Sequence, residues 1–455
     1  MRRLLGAGAA VGAVAAWGLD GGPLGLGFAV FVAAVATALL KLGGREGWQT
    51  AAGQRWLVLA ALTCSGFVVL RDNGTLVALD ALMALGLLGL AARSWTGEVP
   101  ISDVSLGGLI SNPMITSGQS MYSGAHLLVE AQENSRFGSR IGGAFGPLVR
   151  LFFIAGPVVG LVTILLAVGD ASFGQRISMV ADRVVALPVT TAVRVGFVFA
   201  VVTPIAGGWV AYALRRREHK LAPAAPKMIS LGATESFGLV GGLAVVALAY
   251  GLNSAECALS PNACVLPSSY TYAMYAREGF FQLLVAAGIT LGVLIVVPPR
   301  ASLATASMRS GFRVVCTLLV LATLPMLASA FRRLGLYEAS YGFTGERVAA
   351  QACSLLIALM LAWRGVTLWT WPWRFGVGAL ASTIAVLIAM NLFNPDAFIA
   401  RENLARTSTS VVVDRAYLST LSADATPVLK EAGIYPVTIR EDSFAGFNFA
   451  RAAAR

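Results

Sequence analysis

Few residue types are available for chemistry in this chain, because only 13% of its 455 residues are charged. His126 and His219 are the two histidines, and neither has Cys or carboxylate neighbours at metal-ligand spacing, which argues against a zinc site or a histidine-based triad. No HExxH helix, GxSxG elbow, kinase signature or GxxxxGK[ST] loop occurs, so no metal and no cofactor is expected. Chemistry-bearing residues instead gather at three places in the second half. Tyr275, Arg277 and Glu278 precede one apolar run. Arg332, Arg333, Tyr337, Glu338, Tyr341, Glu346 and Arg347 separate two more, and Asn394, Asp396, Arg401, Glu402 and Asn403 follow the last. Arg forks grip carboxylate or phosphate bidentately, and carboxylates carry protons or act as general bases. The competing reading is that these charges pair with one another and hold helix ends together.

Asp80 is the one carboxylate clearly inside an apolar run. An acid left charged in hydrocarbon costs on the order of 3 kcal/mol, so its presence points to function. The alternative is that it reaches interfacial water, since it lies only about a turn and a half from Thr75.

The elements that must position these groups are membrane helices. The chain is 57% hydrophobic with mean hydropathy +0.74, and apolar runs of about 17 to 23 residues recur, each able to cross a bilayer. The expected spans are Met1–Leu19, Pro23–Leu42, Trp56–Leu70, Thr75–Ala92, Leu148–Val168, Ala192–Leu214, Phe237–Leu252, Gly279–Val297, Val314–Phe331, Val348–Trp363 and Phe375–Phe393. The fold class is therefore an all-α polytopic transmembrane bundle of about eleven spans. Met1–Leu19 could also be read as a signal peptide, but the span that follows at once favours a retained helix. Four segments follow: an N-terminal four-helix membrane segment (1–92), a Ser/Gly-rich cytoplasmic loop (93–147), a main bundle (148–393) and an extracytoplasmic tail (394–455).

The net charge of +11 does not call for nucleic acid, because the basic residues sit at the ends of apolar runs. With the N-terminus inside, more than half of them fall in the cytoplasm, so the positive-inside rule sets the N-terminus in and the C-terminus out. Scarce Lys beside abundant Ala and Gly points to a GC-rich bacterial genome and a cytoplasmic (inner) membrane. Cys257 and Cys264 fall in one short outer segment, where an oxidising compartment would let them pair. Trp363, Trp369, Trp371 and Trp373, with Arg364 and Arg374, form an aromatic belt at the inner interface. GxxxG spacings at Gly8/Gly12, Gly156/Gly160 and Gly238/Gly242 suggest close helix contacts. In the tail, Tyr417, Leu418, Leu421 and Val428 predict one or two short helices packing on the bundle.

The stretches YAREGFFQLL, RLGLYEASYGFTGERV, NPDAFIARENL and DRAYLSTLSADATPVL, each tied to a membrane exit, resemble the bacterial integral-membrane families described as domain of unknown function 4173 and its relative 4153. The resemblance covers about Tyr275 to Val428 and implies a multi-pass membrane protein; it brings no reaction, substrate or catalytic residue. Three functions remain open. The first is a transporter or lipid-handling protein whose outer charges, with Asp80, bind an anionic lipid headgroup or small-molecule ligand or couple to protons. The second is an extracytoplasmic lipid-linked glycosyl or acyl transferase, with Glu278 or Asp396 as base. The third is a membrane signalling or assembly partner.

Overall fold

The computed structural model describes residues 2–18, 22–42, 55–95, 231–259, 272–406, 414–435 and 443–455. Regular structure among them is helical, apart from an isolated bridge between Leu231 and Ala301. The long helices are α1 (Arg2–Gly18), α2 (Leu26–Leu42), α3 (Trp56–Leu70), α4 (Gly74–Trp95), α5 (Ala233–Leu259), α6 (Tyr272–Val296), α7 (Ala306–Tyr341), α8 (Gly345–Trp369) and α9 (Phe375–Phe393). Short helices follow: α10 (Pro395–Ala405), α11 (Arg415–Ser419), α12 (Thr426–Glu431) and α13 (Phe449–Ala454).

Every expected span within the described residues coincides with one of α1 to α9; those at 148–168 and 192–214 lie outside them. Segments of α4, α6, α7, α8 and α9 are long and apolar enough to cross a membrane. The apolar stretches of α2, α3 and α5 are shorter. At 15 residues, α3 reaches about 22 Å, less than the roughly 30 Å of a hydrocarbon core. The opposite case is α7, whose 36 residues extend about 54 Å, so its ends stand beyond any bilayer core and carry Arg309 and Arg313 at one end and Arg332, Arg333 and Glu338 at the other. Many apolar side chains point outward, among them Leu82, Val246 and Leu392, each at least 68% exposed. A surface of that kind is stable against lipid and a liability in water.

Two cores meet at α9. The first packs α1 to α4 together with Ile384 and Leu387 of α9. The second packs α5 to α8 together with Phe375 and Ala379 of α9. Helices that run up and down bring alternate turns to one end. At one end lie the α1–α2, α3–α4 and α7–α8 turns, the exit of α9 and the tail, joined by the bonds described below. At the other, Leu231 N–H donates to Arg300 O at 2.9 Å and Ser302 N–H to Leu231 O at 2.8 Å.

Some local expectations change. Gly238 and Gly242 face open space, so that GxxxG pair makes no close helix contact among the described residues. The tight approach is between Gly18 and Gly27, where a Cβ on Gly18 would lie 2.5 Å from the Gly27 carbonyl oxygen. Arg364 does not stand in the aromatic belt. It is buried, donates Nε–H to the Leu294 carbonyl at 2.9 Å and lies over the Phe375 ring at 5.3 Å. Arg364 thus lies inside the bundle, whereas Arg374 remains exposed over Trp371. Trp363 and Trp369 keep their indole N–H groups bonded, to Arg374 O at 3.3 Å and Thr317 Oγ1 at 2.8 Å.

The tail packs as its apolar spacing predicts. Leu418, Ala425, Leu429 and Ile434 form a third core with Ala400 of α10, flanked by Tyr417, Leu421 and Val428.

Candidate functional site at the shared helix end

The α9–α10 joint sets the geometry of this end. Asn394 adopts a left-handed conformation with φ of 53°, which closes α9 and opens α10 at a single residue. Its side-chain oxygen accepts the Ala397 N–H at 3.2 Å, capping α10. Asp396, in the first turn of that helix, is turned inward and is 4% exposed. Its Oδ1 accepts Asn73 Nδ2–H at 3.0 Å and its Oδ2 accepts the Ser422 hydroxyl at 2.5 Å.

Asp424 lies beside it. Its Oδ2 accepts the backbone N–H groups of Asp72 and Asn73 at 2.7 and 2.9 Å, and Arg71 approaches Oδ1 at 3.5 Å. Ser422 Oγ is 3.2 Å from Asp424 Oδ2 as well, so one hydroxyl stands between two buried carboxyls and can donate its single proton to one of them at a time. Burial pushes the Asp424 pKa up; the Asp72 and Asn73 N–H groups and Arg71 oppose this, and Asp396 adds to it. From the far end of the chain, Asn448 Nδ2–H bonds the carbonyls of Val68 and Arg71 at 3.0 and 2.7 Å. These contacts make a closed polar cap in which the turns are bonded to one another.

A second group surrounds the α7–α8 turn. Gly342, with φ of 80°, ends α7, and Asn403 brackets the next residue by accepting Phe343 N–H and donating to Phe343 O, both at 2.8 Å. Arg406 donates to the Ala339 carbonyl at 2.6 Å and to that of Glu338, placing a cation at the carbonyl end of α7. Tyr417 accepts the first N–H of α8, from Gly345, at 3.0 Å; burial raises its hydroxyl pKa.

Within this group Arg347 lies over the Tyr337 ring at 4.2 Å and donates to the Gly342 carbonyl. The rings of Tyr337 and Tyr341 are 5.0 Å apart, and Tyr341 is 60% exposed. Glu338, beside Arg347, is 2% exposed; its Oε2 accepts Gln351 Nε2–H at 2.7 Å and its Oε1 has no partner. Among the described residues no carboxylate closes on Arg347 as an ion pair. The cluster therefore holds a cation on an aromatic platform that opens to the surface, which can receive an anion.

The sequence-predicted residues divide accordingly. Tyr337, Tyr341, Arg347 and Asn403 come together at one turn, while Asn394 and Asp396 belong to the cap. Arg401 is exposed on α10. Tyr275, Arg277 and Glu278 occupy the first two turns of α6, and their side chains lie outside the described residues, as does the Cys257–Cys264 pairing. Asp72, Asn73, Asn448 and Arg451 sit at no motif, and Ser422 lies inside DRAYLSTLSADATPVL without a pattern that marks it; Gln351 and Asn391, single amides in apolar runs, were a signal that could have been used. No group of metal-ligating side chains occurs among the described residues.

Apolar helices with an outward apolar surface and a polar, hydrogen-bonded end define a multi-pass helical membrane protein. The family model for Domain of unknown function (DUF4153) matches residues 57–432, most of the chain, and the chain belongs to that family. The match reaches well into the first half, beyond the stretches that carried the resemblance, and falls on the 4153 relative. No curated protein and no solved structure matches the chain.

Proposed function

We propose that the chain is a transporter or lipid-handling protein of the bacterial inner membrane, oriented with its polar end outward, and that the α7–α8 turn receives an anionic headgroup or small anionic ligand. Arg347 carries this reading: its charge sits on the Tyr337 ring, next to exposed Tyr341, with no carboxylate paired to it among the described residues. Arg277, near the start of α6, is proposed as a second cation for the same ligand. The transferase reading draws less support from Asp396, whose oxygens are taken by Asn73 and Ser422, leaving it poorly placed as a base.

Mass spectrometry of lipids and small molecules that co-purify with the protein tests the proposal. An anionic species held by the wild type and lost from a folded Arg347→Ala, Arg277→Ala double variant is the expected result. Identical profiles from two folded proteins would overturn it.

A further inference from the structure

Asp80 lies about 9 Å along α4 from Gly74, inside the first core. It has no exposed surface, and neither carboxyl oxygen has a hydrogen-bond partner. Asn391 on α9 faces it and is equally enclosed. The Asn391 amide N–H is donated to the Leu387 carbonyl at 3.0 Å, while its side-chain oxygen has no partner. The Asn391 amide is thus the group that can answer Asp80: its Nδ2 can turn a second N–H to an ionised carboxylate, and its unbonded oxygen can accept from a protonated one.

Among the described side chains, α2, α3 and α9 carry no Lys or Arg. Cys64 on α3 is buried in the same core, and its S–H is a weak donor. The described side chains of α2 include no titratable group, and α9 contains none. An ionised Asp80 would therefore have no cation beside it among the described residues, at membrane depth. One proton changes the chemistry, because a neutral carboxyl has an O–H to donate and the oxygen of neighbouring Asn391 is an acceptor without a partner. The proton satisfies two buried groups at once, each of which is costly to leave unbonded.

We propose that Asp80 and Asn391 form a proton-binding site whose bound proton bridges α4 to α9. Its release leaves a buried carboxylate held by the Asn391 amide N–H, with no cation beside it among the described residues, which weakens the joint between the helices. The consequence travels a short way along α9, since Asn391 is one turn before the Asn394 joint on which the polar cap is built. The site does not depend on the anion reading at Arg347, and the two can fail separately.

Infrared difference spectroscopy of the full chain in lipid vesicles tests the site. The wild type should show a protonated-carboxyl C=O band in mildly acidic buffer that disappears reversibly in alkaline buffer. Asp80→Asn should remove that band, and Asn391→Leu should move it to higher wavenumber as the hydrogen bond to the amide oxygen is lost. If Asp80→Asn does not fold, the Asn391→Leu shift carries the decision alone. A spectrum in which no titrating carboxyl band responds to either substitution overturns the proposal, as does a band that Asp80 supplies but alkali never removes.

Discussion

Arg451 and Asp72 meet at 2.5 Å, joining α13 to the α3–α4 turn across 379 residues of sequence. The Arg451 side chain is 4% exposed and that of Asp72 is 23%. Arg451 also donates to the carbonyls of Leu24 and Gly446 at 3.3 and 2.6 Å, while Leu26 and Gly27 N–H groups bond Phe447 and Ala445 carbonyls at 3.0 and 2.7 Å. The last segment is thereby built into the bundle between the α1–α2 and α3–α4 turns.

Arg451→Met should leave Asp72 without its cation and two carbonyls without a donor. Removing one partner of a fully buried pair costs about 3 to 5 kcal/mol; with Asp72 still reaching water, about 2 to 3 kcal/mol is expected. Thermal unfolding in detergent should show the lower Tm, and limited proteolysis should cleave after residue 442 in the variant first. An unchanged Tm with an equally protected tail would mean that the pair contributes nothing.

Two residues explain why the helices were legible and their closure was not. Phe375 and Phe393 bound an apolar run with no charge inside it, and the helix occupies those limits, because hydrocarbon leaves the backbone no other way to satisfy its hydrogen bonds. Asp72 and Arg451, by contrast, carry no local pattern that names a partner so distant in sequence. Ser422 illustrates the same limit, since a serine two residues before an aspartate becomes a bridge only once α10 brings Asp396 alongside. For the candidate site, the charges around the α7–α8 turn were visible from Arg347 and Tyr337. That Glu338 turns inward to Gln351 was not, because i and i+13 pair only after the chain reverses at Gly342.

Asn403→Ala should destabilise the α7–α8 turn by about 1 to 3 kcal/mol, because Phe343 loses both the acceptor for its N–H and the donor for its carbonyl. Asn403→Asp keeps the acceptor alone and should fall between. Hydrogen exchange at Phe343 is the direct readout, and protection equal to wild type in the alanine variant would refute the bracket.

Gly378→Ala should cost about 1 to 3 kcal/mol as an overpacking change. A Cβ there would clash with Trp363 Nε1, so the indole must leave its place and with it the bond to the Arg374 carbonyl. Trp363→Phe removes the indole nitrogen and should rescue part of the loss. A double variant no more stable than Gly378→Ala would place the strain elsewhere.

Asp424 makes the stability of the cap depend on pH, and the sign follows from its burial. The folded carboxyl holds its proton more tightly than the usual value of 3.8, because burial outweighs the Asp72 and Asn73 N–H groups and Arg71. A raised folded pKa contributes stability that is complete below the unfolded value and is lost as pH rises through the folded one. Asp424→Asn, always neutral, lacks that dependence. Tm measured from acid toward neutral pH should therefore show the wild type losing ground to Asp424→Asn as the buffer becomes more alkaline. A gap that stays constant, or that moves in favour of the wild type, would mean that the two N–H groups and Arg71 hold Asp424 ionised and that the cap is anchored by a charge rather than by a neutral acid.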